Sequence, residues 1–313
     1  IRDREVKIMK KTFKKRAFIS AIAMLIVSAI VLTSATYAWF SMAKRVEVES
    51  MELNVTSPEG IQISANTSAF TTKLTVDDIK GASSTRFTAY EGNKNNIPET
   101  VKPSSSSLTT EGALPAFYDG SINDAGYMDC RKVTSDVGSG YVAFDLFIKV
   151  KAATTVKFGS STVTCEANPE LPTSMRIALV RCGTVAEKAD AAAIGSVLPS
   201  NVAANKVMYE LNASEHTTAA AALGASGVMT TRPLTTARTG MDTDRTYNNI
   251  VSNLNFTGIY AATLATTASQ ATISVNAGIT RMRVYMWMEG NDVDCANDVA
   301  GATINFNLVL EID

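Results

Sequence analysis

The chain has 313 residues, 46% of them hydrophobic, which is enough for one large domain or two small ones with a substantial core. Its formal net charge is −1, but eight of its 29 basic residues fall within residues 1–16, so that residues 17–313 hold 21 basic and 28 acidic residues. An acidic body argues against a nucleic-acid partner, because a basic face supplies most of the affinity for nucleic acid.

The N-terminal segment has the three parts of a secretory signal. Residues 1–16 are a basic flank, Ala17–Thr33 is an almost wholly apolar run, and Ser34–Ala38 is a stretch of mainly small residues. We therefore predict insertion into the cytoplasmic membrane, export, and cleavage by signal peptidase after Ala38. Residues 39–313 are then an extracellular domain. An uncleaved membrane anchor over residues 1–38 is the alternative, since roughly 20 apolar residues span a bilayer.

Beyond residue 45 several segments alternate apolar and polar residues with a period of two, which predicts half-buried β-strands. The clearest case is at the C-terminal end, where every second residue from Ile304 to Ile312 is apolar. Short strands separated by turn-rich segments indicate an all-β fold, an antiparallel β-sandwich of jelly-roll type. The predicted strands are Val46–Val55, Gly60–Ala65, Tyr141–Val150, Met175–Arg181, Ala271–Val275, Arg281–Glu289 and Ala302–Asp313.

Two polar inserts, near residues 67–128 and 183–250, interrupt these strands. The first is rich in Ser, Thr, Asn and Lys, and the second in Ala, Thr and Gly. Because such segments bury little apolar surface, we expect them to form loops and short helices over the scaffold. Within the second insert, Val185–Val197 has a helical composition.

Four cysteines follow the leader, and an even number in an exported chain permits two disulfides with three pairings. They are Cys130, Cys165, Cys182 and Cys295. No CxxC pair occurs, which argues against a zinc site. We expect a local bridge between Cys165 and Cys182 and a bridge across the fold between Cys130 and Cys295, with free thiols as the alternative.

The chain carries few of the groups that catalysis requires. It has a single histidine, His216, in a loop-like segment, and no HExxH, GxSxG, GxGxxG or Walker-type motif. A Ser-His-Asp triad would depend on His216 alone, so we expect a solvated histidine rather than a catalytic one. We predict that the protein is not an enzyme and needs no cofactor.

An acidic segment between the last two predicted strands is a candidate metal site. It contains Glu289, Asp292, Asp294 and Asp298. Calcium takes about six to eight oxygen ligands, so closely spaced acids in a loop could bind it. The spacing is not that of an EF-hand loop, and a solvated acidic turn is the simpler interpretation.

The residues after the apolar run resemble a known family. Thr36-Tyr37-Ala38-Trp39-Phe40-Ser41, followed by the strand Val46–Val55, is similar to the start of the camelysin/TasA group. These are exported surface and biofilm-matrix proteins of Gram-positive bacteria, matured by a SipW-type signal peptidase. Met42 departs from the pattern, which has an acidic residue there. Trp287–Cys295 also resembles a segment near the end of many clostridial surface proteins with such leaders.

The resemblance implies a jelly-roll subunit of a surface or biofilm-matrix fibre, in which the segment freed by cleavage inserts as a strand into the neighbouring subunit. Such donation pairs an open sheet edge with another chain and runs head to tail, so it gives a filament. The alternatives are that Val46–Val55 pairs within its own sheet, and that the protein is a membrane-anchored adhesin or ligand-binding ectodomain. The donor candidates are Trp39, Phe40, Val46 and Val48.

Overall fold

The structure is a computed structural model that describes most of the chain beyond residue 45. The described residues are 46–55, 60–81, 95–106, 117–122, 128–132, 139–197, 205–216, 264–290, 292, 294–295 and 302–312. The predicted leader, with Ala38, Trp39 and Phe40, lies outside them. Within the described ranges, no helix is long and apolar enough to cross a membrane.

The described residues are mostly β-strand, with two short helices and two 3₁₀ turns. Every one of the seven predicted strands is present, and the all-β prediction is confirmed. The helices are α1 (Val76–Gly81) and α2 (Ala191–Gly195), and the 3₁₀ turns are Leu171–Ser174 and Ala213–Glu215. The strands are β1 (Val46–Val55), β2 (Ile61–Ser64), β3 (Lys73–Thr75), β4 (Thr100–Val101), β5 (Ser105–Ser106), β6 (Phe117–Ile122), β7 (Met128–Lys132), β8 (Val142–Val150), β9 (Thr154–Phe158), β10 (Thr162–Cys165), β11 (Met175–Val185), β12 (Lys206–Tyr209), β13 (Leu264–Ala265), β14 (Thr272–Val275), β15 (Gly278–Met288) and β16 (Thr303–Ile312).

The strands form two large, mostly antiparallel sheets and one small sheet. The first sheet has the order β14-β9-β16-β1-β3, with β10 also paired to β16 and β4 also paired to β1. The second sheet has the order β13-β12-β11-β15-β8-β2, and the third has the order β5-β6-β7. The pairs β1–β16 and β12–β13 are parallel. The strands at the two ends of the described chain are therefore neighbours.

The apolar faces of the two large sheets share one core. From the first sheet Met51, Leu53 and the alternate residues of β16 are buried, and from the second sheet the alternate residues of β8 and β15 are buried in the same cluster. The ring of Phe158 in β9 lies 5.2 Å from the ring of Tyr209 in β12, which joins the two sheets at one side. Because each large apolar side chain contributes roughly 1.5–3 kcal/mol when fully buried, this core is the main source of stability.

The second sheet is buried on its other face as well. That face carries Arg176, Arg281, Arg283, Tyr285 and Trp287, each at most 3% exposed. The ring of Phe117 in β6 stacks on Tyr141 at 4.1 Å and meets the ring of Trp287 edge-on at 5.6 Å. Further along, Ile194 of α2 packs with Phe147 and Ile279. Residues from the polar inserts thus cover this face, and the strands below them are not half-buried.

Candidate functional site

The first strand, β1, occupies an interior position in the first sheet. On one side it pairs in parallel with β16, from Glu47 opposite Thr303 to Val55 opposite Leu310. On its other side it pairs antiparallel with β4 near its start and with β3 near its end. β1 is hydrogen-bonded along both edges, so in a single chain Val46–Val55 pairs within its own sheet, which is the alternative that the sequence left open.

The side chains of β1 are matched to this position on both faces of the sheet. On the inner face Val46 is fully buried and Leu53 is 2% exposed, while Val48 is partly buried against the core. On the outer face the Ser50 hydroxyl donates to Asn305 Oδ1 at 2.6 Å. The Asn54 amide donates to Asn307 Oδ1 at 3.0 Å. These contacts tie β1 to β16 by side chains as well as by backbone.

The acidic segment after β15 is buried, so the prediction of a solvated acidic turn is wrong. Glu289 and Asp292 have no exposed surface and Asp294 is 2% exposed. The Glu289 backbone N–H donates to the Ser174 carbonyl at 2.8 Å, and Asp292 Oδ1 accepts the Asp294 backbone N–H at 2.9 Å. The 3₁₀ turn before β11 therefore holds this segment from one side. Asp298 lies outside the described residues.

Two basic side chains from other parts of the chain face these acids. Arg176 at the start of β11 places Nη2 2.5 Å from Asp292 Oδ2 and Nη1 3.3 Å from Glu210 Oε1. His216 places Nε2 2.5 Å from Glu210 Oε1 and Nδ1 2.8 Å from Asp294 Oδ2. Its side chain is only 4% exposed, so the prediction of a solvated histidine is wrong. We call Arg176, Glu210, His216, Glu289, Asp292 and Asp294 the charged cluster.

Burial and neighbouring charges shift the pKa values in the charged cluster. Burial alone lowers the pKa of His216, but the hydrogen bond to Asp294 and the adjacent carboxylate of Glu210 raise it to about 10. Burial raises the pKa of Asp292 to about 7, against the opposing attraction of Arg176. Desolvation also opposes the charge on Arg176, but Glu210 and Asp292 raise its pKa above the ordinary value. Two cationic groups thus share a buried site with four carboxyl groups.

The charged cluster contains one set of groups that could hold a metal ion. Ligating atoms of Glu210, His216 and Asp292 all lie within 4.8 Å of one another. Two of the residues nominated from sequence have other partners: Glu289 Oε2 accepts the Trp287 indole N–H at 3.1 Å, and Asp294 Oδ2 accepts the Thr173 hydroxyl at 2.9 Å. Of the four acids considered from sequence as calcium ligands, only Asp292 belongs to the group that the structure brings together, and Asp298 lies outside the described residues.

A second group of buried charges lies on the same face of the second sheet. Asp145 Oδ2 is 2.8 Å from Arg281 Nη2, and Asp145 Oδ1 is 3.4 Å from Arg283 Nη1. Arg281 Nη1 also donates to the carbonyls of Gly195 and Val197 at 3.1 and 3.0 Å. These bonds tie the α2 segment to the sheet, which is a structural role.

The cysteines do not form the local bridge expected from sequence. Cys165 is buried in the core between the sheets, whereas Cys182 is buried on the opposite face of the second sheet beside Arg281. Both are free thiols. Burial raises the pKa of Cys182 to about 12, so its thiol is protonated and unreactive near neutral pH. The side chain of Cys130 lies outside the described residues, so its bridge to Cys295 stays a prediction.

Sequence reasoning missed Arg176 and Glu210 and misjudged His216. Arg176 occupies a polar position of a strand that was correctly predicted, but alternation alone does not say what covers that position. Glu210 directly follows β12, a strand of four residues within the second polar insert. The β-branched and aromatic residues within Lys206–Tyr209 were the local signal that could have indicated strand β12, and with it the position of Glu210.

The comparisons with known proteins bring no further information about function. No protein-family model, no curated protein and no solved structure matches this chain. The position of β1 and the chemistry of the charged cluster are the features that bear on function.

Proposed function

We propose that the protein is an extracellular structural subunit of a cell-surface or biofilm-matrix fibre, assembled by exchange of its N-terminal strand between copies. The position of β1 carries the proposal. The first described strand after the predicted cleavage site is an interior strand of a sheet, between β16 and the pair β3 and β4. In the fibre, β1 of one subunit takes this position in the next subunit. The jelly-roll topology and the export by the leader belong to the same proposal.

Exchange changes the free energy of the folded subunit little, because it preserves the contacts of β1. A neighbour's β1 makes the same backbone bonds to β16 and the same Ser50–Asn305 contact that the chain's own β1 makes. Leaving the position unfilled is costly, since it exposes two unpaired strand edges and the core groove that Met51 and Leu53 fill. The same sequence therefore favours both the closed monomer and the exchanged polymer.

The connection after β1 suits such an exchange. β1 ends at Val55 in the first sheet and β2 begins at Ile61 in the second sheet, so residues 56–60 link the two sheets. With the leader cleaved after Ala38, this link is the one covalent connection that has to reorient. Because the donor end and the acceptor position are different surfaces, the contact is head to tail and propagates into an open filament.

A pair of cysteines distinguishes exchange from self-pairing. Ser50 and Asn305 are register partners on neighbouring strands, and strands about 4.8 Å apart place Cα atoms within the span of a disulfide. We expect oxidised fibres of the double variant Ser50→Cys, Asn305→Cys to give a ladder of covalent multimers on a non-reducing denaturing gel. The bond would join each subunit to the next.

The single variants Ser50→Cys and Asn305→Cys are the matched controls and should give monomers on the same gel. The exchange proposal would be abandoned if oxidised fibres of the double variant dissolved into monomers with an internal bond, because β1 would then remain in its own sheet. Secreted protein that forms no fibres, or intact leader in the membrane fraction, would instead favour the anchored adhesin or ectodomain.

A further inference from the structure

The charged cluster brings three metal-ligand groups together from separate parts of the chain. Glu210 and His216 come from the segment after β12, and Asp292 comes from the turn after β15. Their ligating atoms lie within 4.8 Å of one another, as those of three residues bound to a single metal ion must. A cluster of acids alone does not indicate a metal site, so the hydrogen bonds and contacts of each group have to be considered.

Glu210 has a buried carboxylate that meets two basic side chains but accepts no aligned hydrogen bond, with Arg176 Nη1 3.3 Å and His216 Nε2 2.5 Å from its Oε1. The residue is fully buried, and neither of its oxygens accepts a hydrogen bond. His216 Nε2 is also without a hydrogen bond, although it lies 2.5 Å from Glu210 Oε1. Buried polar atoms are nearly always hydrogen-bonded, so the misaligned contact of these two ligand-type atoms is one that a coordinated cation would satisfy once they move to about 3 Å apart.

His216 is held in the orientation of a metal ligand. Its Nδ1 is bonded to Asp294 Oδ2, which also accepts the Thr173 hydroxyl. A carboxylate on one ring nitrogen fixes the ring and directs the other nitrogen to the metal in most histidine-ligated sites. Here Nε2 is the other ring nitrogen, and it lies 2.5 Å from Glu210 Oε1.

The balance of charge also favours a cation. The charged cluster holds four buried carboxyl groups but only two basic side chains, Arg176 and His216. Because uncompensated buried charge is strongly unfavourable, binding of the ion improves the electrostatics even beside Arg176. Carboxylates that bind a metal are usually oriented by a neighbouring hydrogen bond or ion pair, and Arg176 would have this role for Glu210 and Asp292.

The ligand types select the class of metal. Calcium prefers an all-oxygen shell, whereas an imidazole together with carboxylates suits zinc and related transition metals. We infer that Glu210, His216 and Asp292 bind one divalent transition-metal ion, with Zn²⁺ as the probe. The ion is structural: it clamps residues 205–216 to the turn that leads from β15 towards β16.

The single histidine of the chain makes the test direct, because ¹⁵N-histidine labelling of the full chain reports His216 alone. In chelator-treated protein we expect both ring nitrogens to be protonated. One equivalent of Zn²⁺ should leave the proton on Nδ1 and move the Nε2 resonance to that of a metal-bound nitrogen. The melting temperature should rise on the same addition, since binding to the native state stabilises it.

Variants locate the ion. Glu210→Gln keeps the shape of the side chain and should weaken Zn²⁺ binding at least about tenfold, and Asp294→Asn should weaken it by about 10–100-fold through loss of the ring's support. Glu215→Gln is the matched control, because Glu215 is an exposed acid in the same segment, bonded to Asn212. Its Zn²⁺ affinity should equal that of the unmodified chain.

Three results would overturn the inference. The first is a ring of His216 that stays doubly protonated at one equivalent of Zn²⁺ in the unmodified chain, a measurement that depends on no variant. The second is equal Zn²⁺ affinity of Glu210→Gln and Glu215→Gln, which would place the bound ion elsewhere. The third is Ca²⁺ that displaces Zn²⁺ at equal concentration.

Discussion

At the scale of single residues, the second sheet contains three buried arginines, a residue type that is mostly exposed in proteins. Arg176, Arg281 and Arg283 lie on one face of the second sheet with at most 1% of their surface exposed. Each meets a carboxylate, Arg176 that of Asp292 and the other two that of Asp145. Buried ion pairs of this kind contribute little compared with apolar residues, but loss of one partner is strongly destabilising. Their role is to hold the covering segments in one arrangement.

Substitution of Asp145 tests this at a single position. In Asp145→Asn two buried guanidinium groups lose their shared carboxylate, and we expect the free energy of unfolding to fall by about 3–5 kcal/mol. Urea unfolding followed by circular dichroism measures it. Glu52→Gln is the control, because Glu52 pairs with Lys73 at 2.9 Å on the surface and should cost less than about 1 kcal/mol. Equal effects of the two substitutions would contradict the role assigned to Asp145.

At the scale of elements, the pairing of β11 with β15 in the second sheet depends on the glycine that begins β15. β11 and β15 pair along nearly their whole length, with a register shift between Arg181 and Gly183. Gly278 begins β15 with a φ of +117°, and a Cβ there would lie 2.1 Å from the Val185 carbonyl oxygen. Only glycine fits this start of the strand, because other residues have neither the conformation nor the space.

The substitution Gly278→Ala should therefore destabilise the protein although it adds one methyl group. The positive φ alone costs about 1–3 kcal/mol, and displacement of the Val185 backbone adds to this. Thermal unfolding would show a lowered midpoint. Ala277→Ser, at the exposed preceding position, should change the free energy of unfolding by no more than about 0.5 kcal/mol. A melting temperature of Gly278→Ala equal to that of the control would disprove the assignment.

The elements also show how far alternation can predict structure. Strands β1, β8, β15 and β16 have nine or more residues each and were predicted because most of their length follows a period of two, with one break in β1 between Val48 and Ser50. β9, β10 and β12 have only four or five residues and were not predicted. Two repeats of the pattern do not reliably separate such strands from loop sequence, although β2 and β14, of four residues each, were predicted.

At the scale of the whole molecule, the position of β1 relates the predicted leader to the proposed strand exchange. Its parallel pairing with β16 brings the beginning and the end of the described chain together in the first sheet. In the proposed function, the leader predicted upstream of it would deliver the domain to the outside, and its removal would leave the segment before β1 with a free end. The proposed assembly needs both conditions, an interior N-terminal strand and a cleaved leader.

Cleavage can be measured separately from assembly. We expect the protein secreted by cells that express the full chain to begin at Trp39 on N-terminal sequencing, because Ala38 and Thr36 are small residues at the positions that signal peptidase reads. Ala38→Lys should block processing and leave the precursor with the membrane. Secreted protein that retains its leader, or a start far from residue 39, would contradict the predicted site.

The sequence by itself determined the fold class and the locations of the long strands, because alternation and turn composition act over a few neighbouring residues. The tertiary structure decided which polar positions became buried. Arg176, Glu210, His216 and Asp292 are brought together by strands and turns far apart in the chain, and their separate sequence contexts indicate exposed sites. The parallel neighbour of β1 was decided in the same way, since pairing is set by how whole sheets pack and not by any pattern within one strand.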